Sequence, residues 1–341
     1  MSNQQASSTQ TSAKASIQPN SKRAAKARLL DPRLYCELKS LVALKPAAAK
    51  LSFLKGRFRT SNQSGRHNSK VRGRGLNFEE LRHYQDGDDV KNMDWRTTLR
   101  TGKAHVRAYS EEKERQTLIV ADQRSSMFFG SQHAMKSVVA AQLSALSIWN
   151  ILQSGDRVGG MVFNDHDCQY IKPKRSAANA LVFCQTIVDA NQKLSAETIA
   201  TDSESTLNKM LLRLNKLVLR DSSIILVSDW HGFNAASLML LKQLQRANDV
   251  VLVYVHDKLE RELHSIKHLV ASDGQSQLAM DPQQIKDRAP SFYQHYQSEF
   301  KQKLAELNQL SQSQLLPVID IDTDGDELSQ FRVALSWGSS S

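Results

Sequence analysis

The sequence predicts an α/β fold: a doubly wound, mostly parallel sheet following a smaller, basic, β-containing N-terminal module. Three observations lead there. The runs Thr117–Ala121, Ser223–Ser228 and Val250–Val255 are almost continuously apolar, the pattern of parallel strands buried on both faces. Amphipathic helical patterns fall between such runs, as right-handed βαβ crossovers require. The chain of 341 residues is 40% hydrophobic and 23% charged, enough to build one large or two modest cores.

In chain order, residues 1–28 are polar and of low complexity, ending in Lys22-Arg23-Ala24-Ala25-Lys26-Ala27-Arg28, and are expected to form a disordered arm. A short helix fits Pro32 to Leu44, with Leu34, Leu38 and Leu41 at helical spacing and Pro46 as its stop. Residues 29–112 are read as this helix plus a glycine-punctuated β module. Thr101-Gly102-Lys103 separates Trp95–Leu99 from the alternating Ala104–Tyr109, which suggests a hairpin between those two segments. Residues 113–337 carry the α/β pattern. Strands are expected at Thr117–Ala121, Arg157–Phe163, Ser223–Ser228, Val250–Val255 and Leu316–Ile321. Helices are expected at about His133–Leu152, Ala177–Ala190, Ser205–Leu219, Ala235–Arg246 and Pro290–Leu310. Asn164-Asp165-His166-Asp167 reads as a turn into an antiparallel edge strand at Cys168–Ile171.

The net charge of +10 is uneven. Residues 1–115 hold 24 Lys/Arg against 11 Asp/Glu, whereas the remainder holds 21 against 24. A basic front half suits either a solvated surface or an acidic partner. No segment approaches the ~20 apolar residues of a membrane span, and the first residues lack a signal-peptide core, so a cytoplasmic location is expected. Cys36, Cys168 and Cys184 form no C-x-x-C pair and are expected as free thiols.

The most informative stretch is Val120-Ala121-Asp122-Gln123-Arg124-Ser125-Ser126-Met127. An Asp at a strand's carboxyl end, with a Ser four residues on, can hold a hard cation through oxygen. Open α/β sheets place their sites at that edge. Asp229 closes the run Ile224–Ser228, and Thr201-Asp202 precedes a helix. This set resembles the metal-ion-dependent adhesion site of von Willebrand factor A domains. The resemblance puts Asp122 and Ser126 on the first loop, Thr201 on the second and Asp229 on the third. Arg124 departs from that pattern, standing where the first ligating Ser would be. Two readings follow: a buried Arg–Asp network in which Arg124 stands in for the metal, or a bound divalent cation, with Mg²⁺ the candidate. The lost ligand and the fixed positive charge favour the first.

A second resemblance lies upstream, in Gly65-Arg66-His67-Asn68-Ser69, Gly73-Arg74-Gly75-Leu76-Asn77-Phe78, Arg82-His83-Tyr84-Gln85-Asp86-Gly87-Asp88-Asp89-Val90 and Met93-Asp94-Trp95-Arg96. This ordered series is similar to the bacterial family called domain of unknown function fifty-eight. Val255–Glu260 and Asp322–Asp324 resemble its later segments. The resemblance implies a von Willebrand A-like domain after the module. It also implies association with MoxR-type AAA+ ATPases and other von Willebrand A-like proteins, in maturation or remodelling of further proteins. Many members carry two transmembrane helices before the module; this chain has a polar stretch there, so attachment is not carried over. Arg82, Tyr84, Gly87, Asp88, Asp89, Asp94, Trp95 and Arg96 form the motif cluster. On their chemistry they are either a charge-bridged packing cluster or a partner surface.

Enzyme signatures are absent. Gly73-x-Gly75 opens no dinucleotide fold, Thr101-Gly102-Lys103 lacks the P-loop glycine, and Ser125 and Ser126 lack a nucleophile elbow. The expectation is therefore a non-catalytic adaptor without a required cofactor. Nucleic-acid binding through Lys22–Arg28 and Lys39–Arg74 ranks below it, because aromatics for base stacking are not interleaved there. A metal-dependent phosphoesterase ranks lower still, for want of carboxylates around a metal.

Overall fold

The computed structural model describes residues 31–51, 76–111, 116–131, 133–195, 203–261, 269–272, 277–280, 305 and 316–336. The expected arm 1–28, the glycine-rich motifs at Gly65–Ser69 and Gly73–Gly75, and the helix Pro290–Leu310 lie essentially outside those residues.

In chain order the elements are α1 (Leu38–Ala43), α2 (Lys45–Ala49), β1 (Leu76–His83), α3 (Trp95–Thr101), β2 (His105–Glu111), β3 (Gln116–Asp122), α4 (Lys136–Gln153), β4 (Arg157–Phe163), β5 (Cys168–Lys174), α5 (Ala177–Asn191), α6 (Ser203–Lys216), β6 (Ser222–Ser228), α7 (Ala235–Gln245), β7 (Asn248–His256), α8 (Lys258–Arg261), β8 (Leu269–Ser272), β9 (Gln277–Met280), β10 (Val318–Asp322) and α9 (Glu327–Ser336). The main sheet has the order β10-β7-β6-β3-β4-β5. All neighbours are parallel except the β4–β5 pair at the edge. This is the expected doubly wound, mostly parallel sheet. The turn at Asn164 is closed by the Asn164 N–H donating to Asp167 O at 2.9 Å.

Side chains alternate across β3. Ile119 and Ala121 join one core with α4, α5 and α9, while Leu118 and Val120 join the other with α6 and α7. Each buried aliphatic side chain contributes roughly 1.5–3 kcal/mol of transfer free energy. Gly160 on β4 exists for closeness: a Cβ there would lie 2.0 Å from the Phe183 ring of α5.

Helix α4 is buried on nearly every face, so it needs cover on its outer side as well. Residues 33–51 supply it. Trp149 Nε1 donates to Leu41 O at 3.0 Å, and Asn150 Nδ2 donates to Ala48 O and Leu51 O, both at 2.8 Å. Cys36 N–H donates to Asn191 Oδ1 at 2.8 Å. Pro46 does not stop the helical segment. It sits in the first turn of α2, where proline's missing N–H costs nothing.

The hairpin partner differs from the sequence expectation. β2 pairs antiparallel with β1, not with Trp95–Leu99. Trp95–Thr101 is helical because Asp94 caps it, accepting from Thr97 N–H at 2.9 Å, and Gly102 ends it at φ +68°. An Asp cap followed eight residues later by a glycine in the left-handed region is a helix signature.

Candidate functional site

The strand order reverses at β3: the chain leaves β3 towards β4 and returns to β6 on the other side. That is where an open α/β sheet forms its crevice. Asp122 ends β3, Ser228 ends β6 and Asp229 follows it, so the two strand ends meet there although over a hundred residues separate them.

Arg124 lies wholly inside this crevice, at 0% exposure. Its Nε donates to Asp122 Oδ1 and Oδ2 at 3.1 and 3.0 Å, and its Nη2 donates to Asp122 Oδ2 at 2.7 Å. Nη2 also reaches Asp229 Oδ1 at 3.4 Å, and Nη1 donates to the His231 carbonyl at 2.9 Å. The guanidinium rests 5.4 Å from the Phe163 ring centroid, a cation–π distance. Asp122 also accepts from the Arg124 backbone N–H at 2.9 Å and from Ser228 Oγ at 2.6 Å.

A second buried cation completes the arrangement. Lys136, at the start of α4, donates from Nζ to Asp229 Oδ2 at 3.1 Å and to Glu260 Oε1 at 2.7 Å. Burial disfavours its charge, but Glu260 and Asp229 outweigh burial and hold its pKa above the ordinary lysine range. The same contest holds Arg124 above its ordinary value, through Asp122 and Asp229. Burial pushes the Asp122 carboxyl up against the pull of Arg124. Both of its oxygens accept from N–H or O–H donors, which is the pattern of the ionised form.

The network runs further along the edge. Asp165, in the β4–β5 turn, accepts from Ser125 N–H at 2.7 Å. Glu260 Oε2 accepts from Asp257 N–H at 2.9 Å. Asp257, fully buried, accepts from Ser131 N–H at 2.9 Å, from Leu259 N–H at 2.9 Å, from Thr323 Oγ1 at 2.7 Å and from Ser131 Oγ. Loops following β3, β4, β6, β7 and β10 are thereby tied together. Trp230 takes φ +54°, a left-handed conformation costly for an aromatic residue, and its N–H is held by Ser228 Oγ at 3.0 Å.

The residues expected at the site fare differently. Asp122, Arg124 and Asp229 are brought together. Ser126 Oγ is buried without a hydrogen-bond partner among the described residues, and so is Ser125 Oγ. Thr201 lies outside the described residues. Lys136, Glu260, Asp257, Ser131, Ser228 and Asp165 were not expected there. A lysine opening an otherwise apolar helix was the one available signal, since a cation at a helix N-terminus opposes the dipole.

A divalent cation needs several oxygen ligands. Here the carboxylates face two fixed positive charges, and the side chains around them are largely donors. Among the described residues no three His, Cys, Asp or Glu side chains converge as a metal-binding group. The donor set does not fit a hard cation.

The motif cluster of the basic module is also resolved. Arg82 forms two parallel bonds to Asp88, 2.8 and 2.6 Å long. Gly87 sits at φ +104° in the intervening turn. Asp89 caps a 3-10 turn through Lys91 N–H at 3.0 Å. Tyr84 N–H donates to Ala104 O at 2.9 Å. Asp94 caps α3 and accepts from Arg107 Nε at 2.9 Å. Trp95 and Arg96 instead face solvent. The Arg82 bond, then the Gln85 N–H, holds Asp88 below the usual carboxylate range; the Thr97 N–H, then Arg107, does so for Asp94.

An uncharacterized protein of Mycobacterium bovis (Mb1516) and one of Mycobacterium tuberculosis (Rv1480) are each 25% identical to this chain over 226 residues, covering 64% of it and 68% of their own length. Among solved structures, the VWA domain of SpRpn10 is 12% identical with a TM-score of 0.34, covering 64% of this chain and 93% of that one. A mutant of the PilB minor pilin from Streptococcus sanguinis is 9% identical with a TM-score of 0.32, covering 69% and 64%. Superpositions this loose carry no argument. Among the described residues no helix is long and apolar enough to cross a membrane. The model of the family described as protein of unknown function DUF58 matches residues 80–303, which take in the whole motif cluster and the loop edge around Arg124, and this chain belongs to that family.

Proposed function

We propose that this chain is a non-catalytic, cytoplasmic adaptor that brings client proteins to a MoxR-type AAA+ ATPase, alone or with other von Willebrand A-like proteins. Its carboxyl edge is a preset recognition surface in which Arg124 takes the place of a divalent cation. One observation carries this reading. Both carboxylates that could hold a metal or act as acid and base are buried against Arg124 and Lys136. Carboxylates neutralised in this way are poor ligands and poor proton carriers. The family resemblance supplies the ATPase.

Purified chain and a cognate MoxR-type ATPase should co-elute at low and moderate salt, and failure at both ends the adaptor reading. Calorimetry with Mg²⁺ should give no binding heat for the wild type and a gain for Arg124→Ser. Tight wild-type binding would refute the substitution of Arg124 for the metal.

A further inference from the structure

The motif residues divide by what they do. Arg82, Gly87, Asp88, Asp89 and Asp94 have structural tasks inside the module. Trp95 has none that burial reveals: it is 59% exposed, and Leu99, one turn later on α3, is 83% exposed. Val90, just before the helix, is 53% exposed. Residues four apart share a helix face, so Trp95 and Leu99 make an apolar row. Arg96 and Arg100 make a second row beside it, and both are exposed, as are Lys91 and Lys103. From Val90 to Lys103 the only acid is Asp94, which is buried and engaged by Thr97 and Arg107.

We infer that this face of α3 is a docking site for an acidic amphipathic segment of a partner protein. The segment's apolar side chains cover Trp95 and Leu99, and its Asp or Glu residues meet Arg96 and Arg100. Trp and Arg are the side chains that dominate binding energy at protein interfaces, and an apolar row beside a charged row is how an amphipathic segment is read. Charge complementarity selects an acidic partner. A nucleic acid fits less well. Leu99 and Val90 offer it nothing, and the exposed Asp86 and Asp89 in the preceding turn would repel phosphate. The inference rests on the adaptor reading only in requiring a protein partner.

The full chain is titrated, by fluorescence anisotropy, into three labelled probes. They are a synthetic peptide with Leu/Phe anchors flanked by Glu, the same peptide with Lys for Glu, and a short single-stranded oligonucleotide. The Glu peptide should bind. Trp95→Ala with Leu99→Ala should weaken it at least about tenfold, and Arg96→Glu with Arg100→Glu should shift the preference to the Lys peptide. These positions are exposed, so the far-UV spectrum should not change. No binding of the Glu peptide, equal binding by the variants, or oligonucleotide binding lost in the same variants would each overturn the inference. ATPase co-elution is measured in parallel. If the peptide binds and the ATPase does not, the ATPase reading falls and the docking face stands.

Discussion

Replacing Arg124 with Met is the sharpest perturbation of the carboxyl edge. The guanidinium is fully buried and makes contacts to Asp122, Asp229 and the His231 carbonyl. Met keeps much of the volume and removes the charge. Asp122 would retain only Ser228 Oγ and the backbone N–H of position 124, leaving a buried carboxylate without a counter-ion. Breaking a buried pair by removing one partner costs about 3–5 kcal/mol, a large share of the roughly 5–15 kcal/mol that holds a domain. Asp229 keeps Lys136, so the cost is not doubled. The pH dependence follows from the sign of the shift. Without Arg124, burial and then the neighbouring Asp229 charge act on Asp122 against Ser228 and the backbone N–H alone, and raise its folded pKa further above the unfolded value of about 3.9. A carboxyl raised on folding takes up a proton on folding, so its contribution is fullest below the unfolded value and is lost as pH rises through the folded one. The deficit of the variant should therefore be smallest at acid pH and grow as pH rises towards neutrality and beyond. Urea unfolding followed by far-UV circular dichroism across that range reads it. A deficit below about 1 kcal/mol at neutral pH, the scale of a surface pair, would refute the account, as would a deficit that ignores pH. Adding Asp122→Asn to the variant should recover much of the loss.

Three further outcomes are expected. Thiol-reactive probes should label Cys168 first, because it is half-buried, while burial pushes both Cys36 and Cys184 up to about 12; equal labelling rates at mildly alkaline pH would contradict this. Asp88 and Asp94 have depressed pKa values, so their stabilisation is present above the ordinary carboxylate value and lost as pH falls through the folded values; amide exchange in β1 and β2 should rise on acidification below about pH 4, ahead of the main sheet. Asn150→Ala removes two hydrogen bonds to the backbone of residues 48 and 51; at about 1 kcal/mol each, limited proteolysis should cut near residue 50 sooner than in the wild type.

The central strands were legible because burial on both faces leaves an almost unbroken apolar run, and Ser222–Ser228 is buried at every position. Their helices were legible from spacing, within a few residues at the ends. The Trp95–Thr101 helix was misread as a strand because seven residues give too little periodicity to outweigh a neighbouring turn; Asp94 and Gly102, its caps, were the better guide. At the site, Asp122 and Arg124 lie two positions apart, so their meeting could be anticipated. Lys136 and Glu260 are 124 residues apart in sequence, and only the sheet order brings them onto one edge. A resemblance to a metal site directs attention to oxygen ligands, not to the Arg and Lys side chains that meet them.

The seat of residues 33–51 has a consequence for how the protein is made. Cys36 is fastened by Asn191, 155 residues later, and Leu41 by Trp149, 108 residues later. At ordinary synthesis rates of about 5–20 residues per second, the first of those partners to emerge arrives roughly 5–20 s after the segment it holds. Throughout that wait Leu38 and Leu41 have no groove to enter. A segment synthesised early is thus secured late, and the nascent chain passes through a stage at which a chaperone, or a second nascent chain, can compete for the same surface.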